Sequence, residues 1–138
     1  MPEEKKIRTA QLGTVGKIGE DFAAEFVEHN GFRIVNRNLK FGRNEIDIIY
    51  IDGINVVFCE VKTRSVKKYA GNSRFATPSG SVTLTKQKKL ICAARQYLKE
   101  HRSSLYPRFD VIEVWVKKDE NGKYVLDNIN LIKHAFTA

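Results

Sequence analysis

The sequence predicts an α/β domain, a mixed central β-sheet flanked by helices in the order α-β-β-β-α-β-β. Three observations carry this. Two segments, 15–30 and about 85–101, repeat apolar residues at helical spacing. Two β-rich runs meet at Asp52-Gly53, a strong short-range hairpin signal. A further run, 108–116, is apolar with few polar interruptions and follows Pro107, as a buried strand would. At 138 residues the chain suits one domain, able to bury a core without disulfide or metal staples. Residues 1–12 read as a polar, flexible N-terminal tail and 13–138 as that domain.

Taken in order, the first helix shows Ile18, Phe22 and Phe26 at i+4 intervals, with Ala23 and Val27 beside them. Gly31 stands where a helix end favours a left-handed residue. A short extended stretch follows at 32–38, then strands at 45–51 and 54–63 around the Asp-Gly turn. The polar, Gly-containing segment 65–81 is long for a loop, and such loops are commonly functional. Thr83 or Thr85 caps the second helix, whose apolar face carries Leu90, Ile91, Ala94, Tyr97 and Leu98. After the strand at 108–116, Asp119 to Gly122 forms a turn, and 124–132 is a last, weaker strand.

Composition narrows the function classes. The 24 Lys and Arg against 16 Asp and Glu leave a net charge of +8, which raises the chance of a polyanionic partner, with a merely basic soluble surface as the equal alternative on charge alone. Cys59 and Cys92 lack metal-ligand spacing and lie in apolar stretches, so both are expected to be buried, reduced thiols. No stretch approaches the roughly 18 apolar residues of a membrane span. The polar start lacks a signal-peptide core, so the expectation is a cytoplasmic protein with no membrane role. No Gly-rich phosphate loop marks an ATP-driven enzyme, and His29, His101 and His134 form no triad.

The chemistry concentrates in Asp47 and, beyond twelve intervening residues, Glu60-Val61-Lys62. With Asp52-Gly53 as a two-residue loop, Ile51 pairs with Ile54, Asp47 with Phe58 and Glu45 with Glu60. Asp47, Glu60 and Lys62 then project from one face, with the two acids as diagonal neighbours about 7–8 Å apart. Both acids sit among apolar neighbours on central strands, where a carboxylate is costly unless paired or bound to a metal. Two carboxylates so placed can share a hard cation, and such a cation activates water and neutralises charge on a phosphodiester. The Lys62 ammonium would orient that water or stabilise the developing charge. The competing reading is a structural ion pair between one of the acids and Lys62.

An acid on one strand, an acid-x-lysine on the next and a Glu on a preceding helix resemble the restriction-endonuclease-like (PD-D/E-x-K) superfamily. More narrowly the chain resembles the YraN family, small bacterial proteins predicted to be nucleases. The resemblance rests on Gly16-x-x-Gly19-Glu20-x-x-Ala23, Arg37-Asn38, Glu45-Ile46-Asp47, Phe58 through Arg64, Lys86 with Leu90, and Arg108-Phe109-Asp110-Val111. It implies a restriction-endonuclease-like fold and a DNA nuclease using Mg²⁺ or Mn²⁺. It places metal-binding acids at Asp47, Glu60 and Glu20 and the catalytic lysine at Lys62. A homodimer follows by analogy alone. Beside Glu20, the small residues Gly16 and Ala23 would let the helix approach the sheet. The family's Gly before Glu-Ile-Asp is Asn44 here, a residue able to take turn-like backbone angles.

Further candidates surround this set. Lys86, one turn before Leu90, reads as a phosphate contact or as a lysine snorkelling from the core edge. Arg64 shares a face with Lys62 and suits a phosphate. Lys67, Lys68 and Arg74, interleaved with Tyr69 and Phe75, suit nucleic acid or a plain solvated loop. Asp110 supports Arg108 or Lys86, or stands behind the site. Two functions remain open: a metal-dependent DNA nuclease, or a nucleic-acid-binding protein of that fold that cleaves nothing without a protein partner.

Overall fold

The computed structural model of the chain describes residues 15–66 and 82–138. Helix α1 (Val15–His29) leads into strands β1 (Arg33–Phe41), β2 (Asn44–Asp52) and β3 (Asn55–Ser65). Helix α2 (Leu84–Glu100) then precedes β4 (Tyr106–Lys118) and β5 (Tyr124–Phe136). The element order is the one expected, in a single five-stranded sheet ordered β1-β2-β3-β4-β5. Neighbours are antiparallel except β3 and β4, which run parallel because α2 lies between them in the chain.

Alternation along β3 puts the helices on opposite faces. Val57, Cys59 and Val61 pack with Ile18, Ala23 and Val27 of α1, whereas Val56 and Phe58 pack with Leu90, Ala94 and Tyr97 of α2. Gly31 takes the left-handed angle expected after α1, with φ +82°. Thr83 is the N-cap of α2, its hydroxyl accepting from Lys86 N at 3.2 Å. Cys59 is buried as expected, but Cys92 is exposed. The reason is helical phase: Leu90, Ala93 and Ala94 turn into the core and carry Cys92 outward.

The close approach of α1 to the sheet is made by Gly19, not Gly16. A Cβ at Gly16 would meet nothing within 4 Å, whereas one at Gly19 would fall 1.9 Å from Thr63 Oγ1 and 2.7 Å from Thr63 Cβ. Gly19→Ala would raise helix propensity by about 1 kcal/mol in a free helix. Here overpacking should outweigh that, at a cost of roughly 1–3 kcal/mol. A lower urea midpoint is therefore expected, and a raised one would mean that α1 yields freely at this contact.

Register departs from expectation by two residues. The recorded β2–β3 pairs are Ile48–Cys59, Ile49–Phe58, Tyr50–Val57, Ile51–Val56 and Asp52–Asn55. The expected pairs Ile51–Ile54, Asp47–Phe58 and Glu45–Glu60 do not form, because the loop is Gly53-Ile54. A two-residue turn with Gly first needs positive φ only there, and Gly53 has φ +58°. Asp52 stays in the strand, its carboxylate held 2.8 Å from Arg108 Nη1. The shift is even, so by itself it moves no side chain to the other face. The β1–β2 turn is built alike: Phe41 pairs with Asn44 around Gly42-Arg43, and Gly42 has φ +61°. Asn44 accordingly begins a strand and adopts no left-handed angle.

Asp110 is fully buried. Its carboxylate accepts from Tyr50 Oη at 2.5 Å, Arg108 Nε at 2.9 Å, Arg108 Nη2 at 2.8 Å and His134 N at 3.0 Å. The last bond crosses a register shift between β4 and β5, where His134 has φ +54°. Asp110 thus supports Arg108 and joins β2, β4 and β5, while Lys86 pairs elsewhere.

Candidate active site

The β2–β3 ladder is recorded only as far as Ile48–Cys59. One further step would set Asp47 directly opposite Glu60, closer than the expected diagonal. Instead the strands part, and Asp47 Oδ2 accepts the Val61 N–H at 2.8 Å. Alternation also breaks here: Ile46 joins the cluster on α2 and Ile48 the cluster on α1. Asp47 therefore sits at a fork in the sheet, where both helices can reach it.

A cavity of about 320 Å³ occupies the fork, lined by Glu20, Arg43, Glu45, Asp47, Glu60 and Lys86, among others. Glu20 comes from α1, and Asn38 of β1, at φ +51°, offers it a side-chain hydrogen bond. The neighbouring Arg37 donates to Asp21 at 2.7 Å, so the Arg37-Asn38 pair ties α1 to β1 beside the site. Lys86 of α2 stands 3.6 Å from Glu60 Oε2.

The electrostatics are those of carboxylates crowded out of water. Burial, then the Glu60 charge, raises the Asp47 carboxyl from its ordinary 3.8 to about 7, and the Val61 N–H offsets only part of this. Burial also raises Glu60, against the pull of Lys86 and Lys62. Burial and then Glu45 raise Glu20. Lys62 moves down, through burial and the adjacent Lys86 ammonium.

These shifts make a prediction about the metal-free protein. Between pH about 4 and 7 the unfolded chain has released the Asp47 proton while the folded chain keeps it. Stability should therefore fall as pH rises through that window and level off above it. Asp47→Asn removes this dependence. In chelator, the variant should gain roughly 2–4 kcal/mol on the wild type between pH 4 and 8. Parallel curves from urea unfolding would mean that Asp47 ionises in the fold without extra cost.

Of the expected site residues, the fork gathers Asp47, Glu60, Glu20 and Lys86 around one cavity. Lys62 is not among the lining residues, though its ammonium feels Glu60, Lys86 and Arg64. Arg64 lies two residues further along β3, near Lys62 and outside the cavity. Lys67, Lys68, Arg74 and the rest of 67–81, like the tail at 1–12, lie outside the described residues. Sequence reasoning missed Arg43, Asn44, Glu45 and Lys89 as lining residues. Glu45 carried a usable signal, since it stands two positions before Asp47. Lys89 lies one turn beyond Lys86 on α2.

Among the described residues, no group of three or more His, Cys, Asp or Glu is arranged to hold a metal ion. The donor set does not fit a closed cage of the kind that structural zinc requires. It does fit a hard cation held through one or two carboxylates, with water and phosphate completing the shell. The mutual repulsion of Asp47, Glu60 and Glu20 is what such a cation would relieve. No helix among the described residues is long and apolar enough to cross a membrane.

Comparison with known proteins gives the chain relatives. The model of a family described as "Uncharacterised protein family UPF0102" matches residues 19–114. The chain is 42% identical over 125 residues to the UPF0102 protein of Symbiobacterium thermophilum, covering 90% of this chain and 97% of that one. It is 36% identical over 124 residues to that of Caldanaerobacter subterraneus subsp. tengcongensis, covering 89% and 94% respectively. A solved structure of Pyrococcus furiosus SfsA in complex with Ca²⁺ aligns at 12% identity and TM-score 0.35. The alignment covers 88% of this chain and 63% of that one, a likeness too slight to support an argument.

Proposed function

The chain belongs to the UPF0102 family, the endonuclease-like YraN group, and from that premise we propose that it is a metal-dependent nuclease hydrolysing DNA phosphodiester bonds. One observation carries the reading: Asp47 is only 8% exposed, yet stands beside Glu60 and Glu20 in a cavity open to a ligand. Three crowded carboxylates stabilise nothing by themselves, and a divalent cation turns their repulsion into attraction.

Asp47 and Glu60 would hold Mg²⁺ or Mn²⁺, and Glu20, lining the same cavity, would face the ion's water shell. When bound, the ion supplies charge neutralisation at the phosphate and a more acidic water. The chain's own residues do the rest. The Val61 N–H aims the Asp47 carboxylate before any ligand arrives. Glu60, paired with Lys86 at 3.6 Å, would turn to a cation when one is bound, and the Lys86 ammonium would then be available to a phosphate oxygen. Hydrolysis joins a water oxygen to phosphorus and expels one alcohol, so one proton must leave the water and one must reach the leaving oxygen. Lys62, its ammonium made more acidic by burial and by the adjacent Lys86, would hold or pass a proton in that exchange. Arg43, Lys86 and Lys89 line the cavity and balance the phosphate charge.

The test is cleavage of labelled duplex, single-stranded, flap and four-way-junction DNA in Mg²⁺, Mn²⁺ or chelator. Cutting with either cation and none in chelator is expected. No cutting on any substrate would favour a second reading, a nucleic-acid-binding protein that needs a partner for chemistry. The existing Glu60–Lys86 pair and the lack of a ready three-ligand cluster among the described residues speak for that alternative.

A further inference from the structure

Helix α2 carries more positive charge than the cavity at the fork absorbs. Before Glu100, its last residue, it bears Lys86, Lys88, Lys89, Arg95 and Lys99 and no acid. Lys86 and Lys89 line the fork. Lys88, Arg95 and Lys99 instead rim a separate open groove of about 660 Å³, lined also by Ile91, Cys92, Gln96 and Ala138, with no Asp or Glu side chain. All three cations are exposed, and none of the ion pairs between described residues uses them. Solvated helices usually balance such charges with acids three or four residues away, and α2 has none there.

We infer that this face of α2 binds the sugar–phosphate backbone of a nucleic acid. The inference rests on the nuclease reading for where the scissile bond lies, but not for the binding itself. Charge complementarity selects the partner. A row of cations along an open helix face matches a polymer of phosphates, whereas a single small phosphate would want an enclosed pocket. From Lys88 to Lys99 the helix rises roughly 16 Å at 1.5 Å per residue. That covers about five phosphates of one strand at 3.4 Å each. Ile91 and Cys92 between the cations offer an apolar surface suited to sugars. An anionic membrane is the poorer match, because an interfacial helix needs an outward apolar face. The apolar face of α2, with Leu90, Ala94 and Tyr97, is already packed against the sheet.

The experiment measures binding of labelled duplex and labelled single strand by fluorescence anisotropy across a salt series, in chelator so that no chemistry intervenes. The triple variant Lys88→Gln, Arg95→Gln, Lys99→Gln should lower the slope of log affinity against log salt by roughly 2–3 and weaken binding about tenfold or more. Lys117→Gln, Lys118→Gln, Lys123→Gln removes equal charge at the β4–β5 turn and should change the slope by less than about 1. The larger loss on duplex or on single strand would identify the form of backbone that lies on α2. Equal losses in the two triples, an unchanged slope in the α2 triple, or no binding by the wild type would each overturn the inference. Should the α2 triple lose its fold by circular dichroism, Arg95→Gln alone should still lower the slope by about 1. Failure to cut DNA would sink the nuclease reading and leave this result standing.

Discussion

Asp47→Asn is expected to lower cation-dependent DNA cleavage by roughly a thousandfold or more, while the protein stays folded. A bound cation supplies several kcal/mol to the transition state, and each 1.36 kcal/mol is tenfold in rate. Asparagine keeps an acceptor for the Val61 N–H, which donates to Asp47 Oδ2 at 2.8 Å, so the fork should keep its shape. What it loses is the charge that attracts the metal. The loss should therefore fall on kcat and on Mn²⁺ affinity. DNA affinity in chelator should hold or rise, because one negative charge has gone. Glu60→Gln should behave alike. Cleavage that persists in both variants would show that the observed cutting does not come from this fork.

The largest stability effect is expected at a different aspartate. Asp110→Ala should cost about 3–5 kcal/mol, the penalty for stranding the partners of a buried charge. That is a large share of the 5–15 kcal/mol typical of a domain. The substitution would leave the largely buried Arg108, among the described residues, with Asp52 alone as a counter-charge. It would also remove the acceptor from the Tyr50 hydroxyl and from the His134 N–H in the core. Tyr50, pushed far up by burial, then by Cys59 and Asp110, has no route to relief by ionising. Urea unfolding measures the loss. The Mn²⁺ affinity of the folded fraction should not change, because Asp110 is absent from the fork's lining. A cost below about 1 kcal/mol would mean that water or a relaxed Arg108 replaces the network.

These two aspartates divide what was legible in the sequence from what was not. Both are acids in apolar strands, and both match the family pattern. Local pattern gave them the same expectation, an expensive charge in need of a partner. Asp110 found protein donors on β2, β4 and β5, and Asp47 found one amide and two other acids. Of the partners of Asp110 only Arg108, two positions away, was open to local reading; His134 and Tyr50 lie 24 and 60 residues away, and nothing local specifies them.

Element order, strand faces and the helix caps were readable because they follow from periodicity and from residues such as Gly31 and Thr83, which act on their neighbours. The carboxylate set was readable for the same reason, since even spacing on a strand preserves its face through the two-residue register shift. The turn position was not, because Asp52 is drawn into β2 by Arg108, 56 positions later. Nor was the close approach of Gly19 to Thr63, the exposure of Cys92, or the fork that brings Glu20 and Lys86 to Asp47 from opposite faces. Local chemistry chose the residues and the faces they occupy. Contacts between distant segments chose which of those residues meet, because charge pairing and close packing act through space and leave no mark in the spacing of neighbours.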